Sequence, residues 1–148
     1  MVVNGKPESG QASELDAALL TSNEFRAFLG TIDSATTIIG STDQTLREAD
    51  AGITSREFDA LVFITAFGPI RPSELLRRVV MTHSAQTLSS VIDRLEARGF
   101  AVRNRDPDDP RAVHITGTDS GGDLIARVFP HIYQRAITPF TSRYTDDE

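Results

Sequence analysis

Residues 72–118 set three periodicities in a fixed order, and that order leaves few folds open. Apolar side chains recur at helical spacing from Pro72 to Val80 (Leu75, Leu76, Val79) and again from Ser84 to Arg98 (Leu88, Val91, Ile92, Leu95). Gly99 ends the second run, where a residue tolerant of positive φ closes a helix. Then residues 100–105 and 112–116 alternate like strands on either side of a proline- and aspartate-rich turn, DPDDP. Helix, turn, helix and hairpin make a winged helix-turn-helix, a fold that is mainly α with a small two-stranded antiparallel wing. A lone hairpin is marginal in water, so the wing must pack on the helices or on a partner. Nucleic acid is the first partner this order suggests.

The flanking sequence extends the helical reading. Thr54-Ser55-Arg56-Glu57 has the pattern of a capping box, which predicts a helix that buries Phe58, Leu61, Val62, Thr65 and Phe67 and ends at Gly68-Pro69. Pro72 suits a first helical position, where its missing amide proton has no partner to lose. Upstream, apolar residues at 25, 28, 29, 32, 35, 38, 39 and 46 predict a one-sided helix of about seven turns, weakened at Gly30 and Gly40. SELDAALL, residues 13–20, predicts a short helix capped by Ser13. Downstream, Thr118 caps a last helix with Leu124, Ile125, Val128, Ile132, Tyr133 and Ile137 on its apolar face and a kink at Pro130.

With 148 residues, 39% of them hydrophobic, the chain can build one core, so residues 1–148 are read as a single domain. No stretch approaches the roughly 18 to 20 apolar residues of a membrane span, and the start, MVVNGKPESGQ, lacks a signal-peptide pattern, so a cytoplasmic protein without membrane contact is expected. There is no cysteine, which excludes disulfides, thiolate zinc sites and thiol redox chemistry in this chain. His83, His114 and His131 share no metal-ligand spacing, and neither a P-loop, a G-x-G-x-x-G turn nor an H-E-x-x-H pair is present. Asp119-Ser120-Gly121-Gly122 copies four letters of the trypsin-type nucleophile motif, without the two β-barrels that would supply its histidine and aspartate. Neither catalysis, cofactor nor metal is expected.

Charge is the observation that resists a nucleic-acid reading, because the net value is −6. Its distribution answers part of this. Residues 71–111 hold eight arginines against six acids, a local balance of +2 that leaves −8 elsewhere. On the second helix of the motif, Leu88, Val91, Ile92 and Leu95 form an anchoring side and His83, Thr87, Ser90 and Arg94 another. In a major groove Gln86 matches adenine N6 and N7, Arg94 matches guanine O6 and N7, and Ser84, Thr87 and Ser90 can take bases or phosphates. Arg105 and Arg111 stand on the shoulders of the hairpin, placed for a narrow minor groove, and Asp109 is expected to hold Arg111 or a neighbouring amide and so fix the turn. In isolation the helix residues also read as ordinary solvated surface, and the hairpin tip as an exposed acidic turn.

Residues 52–121 resemble the MarR family of bacterial transcriptional regulators. The likeness is carried by GIT before the capped helix, by PSELL, VIDRLEARGF and the wing DPDDPRAVHIT, and by the Thr118-Asp-Ser-Gly121 opening of the last helix. The resemblance implies an obligate homodimer on a pseudo-palindromic operator in double-stranded DNA, with repression as the expected outcome. It assigns DNA contacts to Ser84, Gln86, Thr87, Ser90 and Arg94 on the recognition helix and to Asp109 and Arg111 in the wing. Residues 53–117 become the winged DNA-binding region, and residues 13–52 and 118–140 an α-helical dimerisation region drawn from both termini. Many members leave DNA when a small aromatic effector fills a crevice between the two regions; of the candidates Phe25, Phe28, Phe58 and Phe63, core packing is the preferred role. Two departures stand out: Gly117 occupies a position where the family usually has Leu, which predicts a looser junction, and only FTSRYTDDE follows where a further helix is usual. The competing reading is a winged-helix module that docks protein through the same helix and has no DNA affinity.

Overall fold

A computed structural model describes residues 21–145, with side chains through Ser142; the helix expected over residues 13–20 lies outside the described residues. The chain divides into two compact units, residues 1–38 and 39–148. The first contains most of helix α1 (Asn23–Glu48). Two of its threonines tie back to the carbonyl one turn earlier, Thr31 to Ala27 and Thr36 to Ile32. The apolar stripe expected here is present but is not core: Phe28 is 57% exposed, and Leu29 and Ile32 also face solvent.

The second unit holds the end of α1, then α2 (Ser55–Phe67), α3 (Pro72–Arg78), α4 (Ala85–Ala97), β1 (Ala101–Arg105), β2 (Val113–Gly117) and α5 (Asp119–Ile132). A π-helical turn, Tyr133–Ile137, leads into α6 (Thr138–Thr145). Its core is formed by Leu46, Phe58, Leu61, Ile64, Ile70, Leu75, Leu88, Ile92, Leu95, Ile115 and Val128. The capping box forms as read: the Thr54 hydroxyl accepts from the Glu57 amide, and the Glu57 carboxylate accepts from the Thr54 amide. The buried side of α2 differs from the expectation. Ala60 and Ile64 lie inside while Thr65 and Phe67 are exposed, because α2 packs on α4, α5 and β2 with the side that begins at Glu57.

The hairpin pairs Ala101 with Gly117 through Arg105 with Val113. A third segment, not foreseen from the pattern, joins it: Ile70 and Ile115 exchange both backbone hydrogen bonds, at 3.0 and 2.8 Å. This bridge, with Ile115 fully buried, fixes the inner end of the wing to the body. Gly117 makes the junction closer rather than looser. A Cβ there would stand 3.1 Å from Thr65 Oγ1, so the absent side chain lets the strand end lie on α2. At the next corner Thr118 caps α5 by accepting from the Gly121 amide, and a Cβ on buried Gly121 would collide with the Phe100 carbonyl oxygen. Packing therefore explains the glycine in the protease-like tetrapeptide.

Helix α5 runs through Pro130, and the irregularity expected at the proline emerges after it as the π-helical turn. Proline offers no amide to the Ala126 carbonyl, so the regular ladder is already broken where the turn begins. Buried Ile132 and Ala136 hold this stretch inside, and the residues after Pro139 stay helical through Thr145, so a further short helix does follow. Arg127 donates to the Ala49 carbonyl at 2.7 Å, and Arg135 pairs with Glu48 at the end of α1. That hydrogen bond from Arg135, helped by Gln44, holds the Glu48 carboxyl below its usual range. No described helix is long and apolar enough to cross a membrane.

Candidate nucleic-acid interface

Helix α4 is set by its apolar side: Leu88, Val91, Ile92 and Leu95 are buried, so the opposite flank must point outward. Ser84 is the N-cap. Its hydroxyl accepts from the Thr87 amide at 3.1 Å and donates to Thr87 Oγ1 at 2.8 Å. Ser90 donates to the Gln86 carbonyl at 3.3 Å. Ser84, Gln86, Ser90 and Arg94 are exposed and Thr87 is half-buried. Among the described residues the Gln86 amide side chain has no internal hydrogen-bond partner, which leaves its donor and acceptor for a base edge.

Arg94 is not independent of the subunit. Its Nη1 lies 3.5 Å from Oε1 of Glu57, whose side chain is only 4% exposed. A buried carboxylate without a cation is expensive, so this contact ties the outer part of α4 to the start of α2. The turn before α4 is held by another acid. One oxygen of Asp59 accepts from the amides of Val80 and Met81, both at 2.9 Å, while burial pushes its carboxyl above the usual range and the two amides partly offset that rise. Gly99, with φ +75°, then closes α4 as the sequence predicts.

In the wing Asp109 acts as expected. Its Oδ1 accepts from the Arg111 amide at 3.0 Å and its carbonyl from the Ala112 amide at 2.9 Å. Asp106 does the same for the Asp108 amide at 2.9 Å and faces His114 Nδ1 at 3.7 Å. Arg105 and Arg111 are exposed, and neither makes an ion pair among the described residues. The eight residues singled out from the sequence thus fall into two groups, five on α4 and three on the hairpin, with none occluded in the core.

Three ties escaped the sequence reading: that of Glu57 to Arg94, and those made by Asp59 and Arg103. Asp59 left a signal, a carboxylate between Phe58 and Ala60 on a helix whose neighbours are buried. Arg103 left one too, since Asp93 and Glu96 are three residues apart on the α4 face nearest β1. Of the four phenylalanines weighed for an effector crevice, Phe58 is buried in the core, Phe63 and Phe25 are half-buried, and Phe28 is exposed, so the core role fails for Phe28. A cavity of about 490 Å³ does lie between α3, α4 and the hairpin, with Pro72, Leu76, Leu88, Ile92 and Arg103 among its lining, and none of the four lines it. Among the described residues no group of three His, Asp or Glu side chains is placed to hold a metal ion.

The sequence profile of the MarR family matches residues 51–112. The HTH-type transcriptional regulator YkoM of Bacillus subtilis is 30% identical over 97 residues, 66% of this chain and 62% of that protein. The chain spans between 46% and 62% of the length of the curated relatives it matches. Among solved structures, the transcriptional regulator Tm0710 of Thermotoga maritima is 31% identical, with 85% of this chain and 81% of that one covered and a TM-score of 0.53. Sco3205 of Streptomyces coelicolor, a MarR family transcriptional regulator solved in complex with DNA, is 26% identical over 86% of this chain and 87% of its own, with a TM-score of 0.68.

Proposed function

We propose that this chain, which belongs to the MarR family, is a sequence-specific regulator of transcription that binds double-stranded DNA as a homodimer on a pseudo-palindromic operator. The observation that carries the reading is the recognition helix itself: four buried apolar side chains pin α4, and the outward Ser84, Gln86, Thr87 and Ser90 are neutral and short-chained, with the Gln86 amide unpartnered among the described residues. Such a flank can enter a major groove without bringing carboxylates to the phosphates. The wing supports the same reading with Arg105 and Arg111 on a turn stiffened by Asp106 and Asp109. The DNA complex of Sco3205 shows that a related chain of this fold takes that partner.

Residues 53–117 form the DNA-binding region in this reading, and residues 13–52 and 118–140 the dimerisation region. Exposed Phe28, Leu29 and Ile32 on α1 support the second copy, since apolar side chains at helical spacing on one element are normally covered. Two recognition helices about 34 to 36 Å apart would read two half-sites one turn apart, and repression would follow from covering a promoter. A small aromatic effector that binds one helix spacing better than the other would release the operator.

The test is selection of bound duplexes from a random pool, run with the intact chain and with Arg111→Ala. A palindrome enriched by the first and weakened with the second supports the proposal, whereas no enrichment by the intact chain defeats it. A steep fall in affinity with salt separates DNA binding from docking to a protein through the same helix. Light scattering at micromolar concentration checks the dimer, and a monomer mass would remove it.

A further inference from the structure

Arg103 lies two residues inward from Arg105 on β1, on the same side of the hairpin. Its side chain turns onto α4 instead of into solvent and is 28% exposed. Nη1 pairs with Asp93 Oδ1 at 2.7 Å and with Glu96 Oε2, and Nη2 donates to the Ser89 carbonyl at 3.3 Å. The Arg103 backbone amide adds a bond to Glu96 Oε1 at 2.7 Å. One residue of the wing therefore holds two carboxylates and a carbonyl of the recognition helix. The planar guanidinium suits this, because its donors are fixed in a fork and bridge several acceptors at once.

We infer that Arg103 is a positioning residue, one that locks the wing to the recognition helix so that Arg105 and Arg111 are aimed by α4, and that it does not itself touch DNA. The inference rests on the DNA-binding reading above and extends it. The hairpin is two strands whose tip, residues 107–111, is exposed throughout, and its inner end is fixed by the bridge from Ile70 to Ile115. Between that anchor and the tip, the Arg103 cluster is the ion-paired link from the hairpin to α4 among the described residues. Asp93 and Glu96 also need Arg103: unpaired, two acids one turn apart on α4 would repel each other and any phosphate nearby.

Electrostatics and positioning predict opposite results for one double variant. Asp93→Asn with Glu96→Gln keeps Arg103 and removes two negative charges, so if Arg103 touches phosphate, binding tightens or holds and the preference at the outer, wing-read base positions is unchanged. If Arg103 acts through α4, that preference falls about tenfold, the scale of lost charge-assisted hydrogen bonds, while the α4-read positions keep theirs. Arg103→Ala should give the same split with an unaltered salt slope; a slope smaller by about 0.9, one phosphate contact, overturns the inference. Arg103→Lys keeps the charge without the fork and should fall between wild type and Arg103→Ala.

Amide hydrogen exchange on the free protein tests the lock even where no duplex is bound. The double variant should speed exchange in β1 and β2 and leave the amides of α4 around Val91 and Ile92 protected. Hairpin exchange equal to wild type overturns the inference. A wild-type chain that enriches no duplex instead removes the regulator reading and leaves this arm to decide the lock alone.

Discussion

The recognition helix and the wing would meet the same polyanion with different chemistry. On α4 the outward groups are mostly neutral and several are already engaged: Ser84 caps the helix, Ser90 bonds back to Gln86, and Arg94 leans on Glu57. On the wing the order is reversed. The acids Asp106 and Asp109 accept amides of the turn, and Arg105 and Arg111 are the groups left exposed. A helix of that kind discriminates by fit and by one amide side chain. A wing of that kind contributes attraction and reads groove width, which a guanidinium on a stiff turn can sense. The split also reconciles a chain of net charge −6 with a polyanionic partner, because cations are needed only where the phosphates come close.

The largest effect should come from the corner both regions share. Gly121→Ala puts a methyl group into the Phe100 carbonyl and against Leu61 at 3.2 Å, both in the packed body. The expected loss is about 3 kcal/mol or more, read as a fall in the urea midpoint, because backbone cannot yield as a flexible side chain does. Stability equal to wild type would mean that α5 can slide away from the wing at little cost, and the rigid junction would be wrong.

Next is the helix side of the comparison. Gln86→Ala should lower discrimination at one base position in each half-site by about 1 to 3 kcal/mol and leave the salt slope unchanged. The wing side follows with the opposite signature. Arg111→Ala should lower affinity by about 1 kcal/mol, flatten the preference at the outer, wing-read positions and reduce the salt slope by about one unit, with base preference under α4 intact. If the two variants exchanged signatures, the division between a reading helix and a charged wing would collapse.

How far the sequence could have foretold this differs between the two regions for a physical reason. Element order, the capping box, the stop at Gly99 and the anchoring side of α4 are local patterns, and local patterns are visible in one chain. The Asp109 turn was legible for the same cause, since donor and acceptor are two residues apart. The ties between elements were not: Arg94 meets Glu57 across 37 residues, and Asp59 meets Met81 across 22. At Gly117 the sequence predicts a looser junction and the structure shows a closer one, because the close approach of Thr65 is a property of packing and leaves no periodicity behind. For α1 the stripe was legible and its burial was not, because an apolar helix side has the same spacing whether its cover is in the same subunit or in another.

The smallest effect separates what holds α4 from what α4 reads. Asp59 is the acceptor that fixes the turn before the recognition helix, and burial raises its carboxyl above the ordinary 3.8. A carboxyl raised in the folded state binds its proton more tightly there than in the unfolded chain. Its contribution to stability is therefore fully present below pH 3.8 and is lost as pH rises through the folded value. Asp59→Asn keeps an oxygen able to accept from Val80 and Met81 and has no proton to lose. At neutral pH the variant should lie within about 1 kcal/mol of wild type, on the stable side if anything, and bind operator equally well. Measured by urea unfolding from acid toward neutrality, wild type should lose ground relative to Asp59→Asn across the window above pH 3.8. A gain instead would show that the two amides outweigh desolvation and that the ionised carboxylate actively secures the turn. The neutral outward residues of α4 would then depend on a charge that holds the turn before the helix, and the contrast with the wing would be one of position rather than of chemistry.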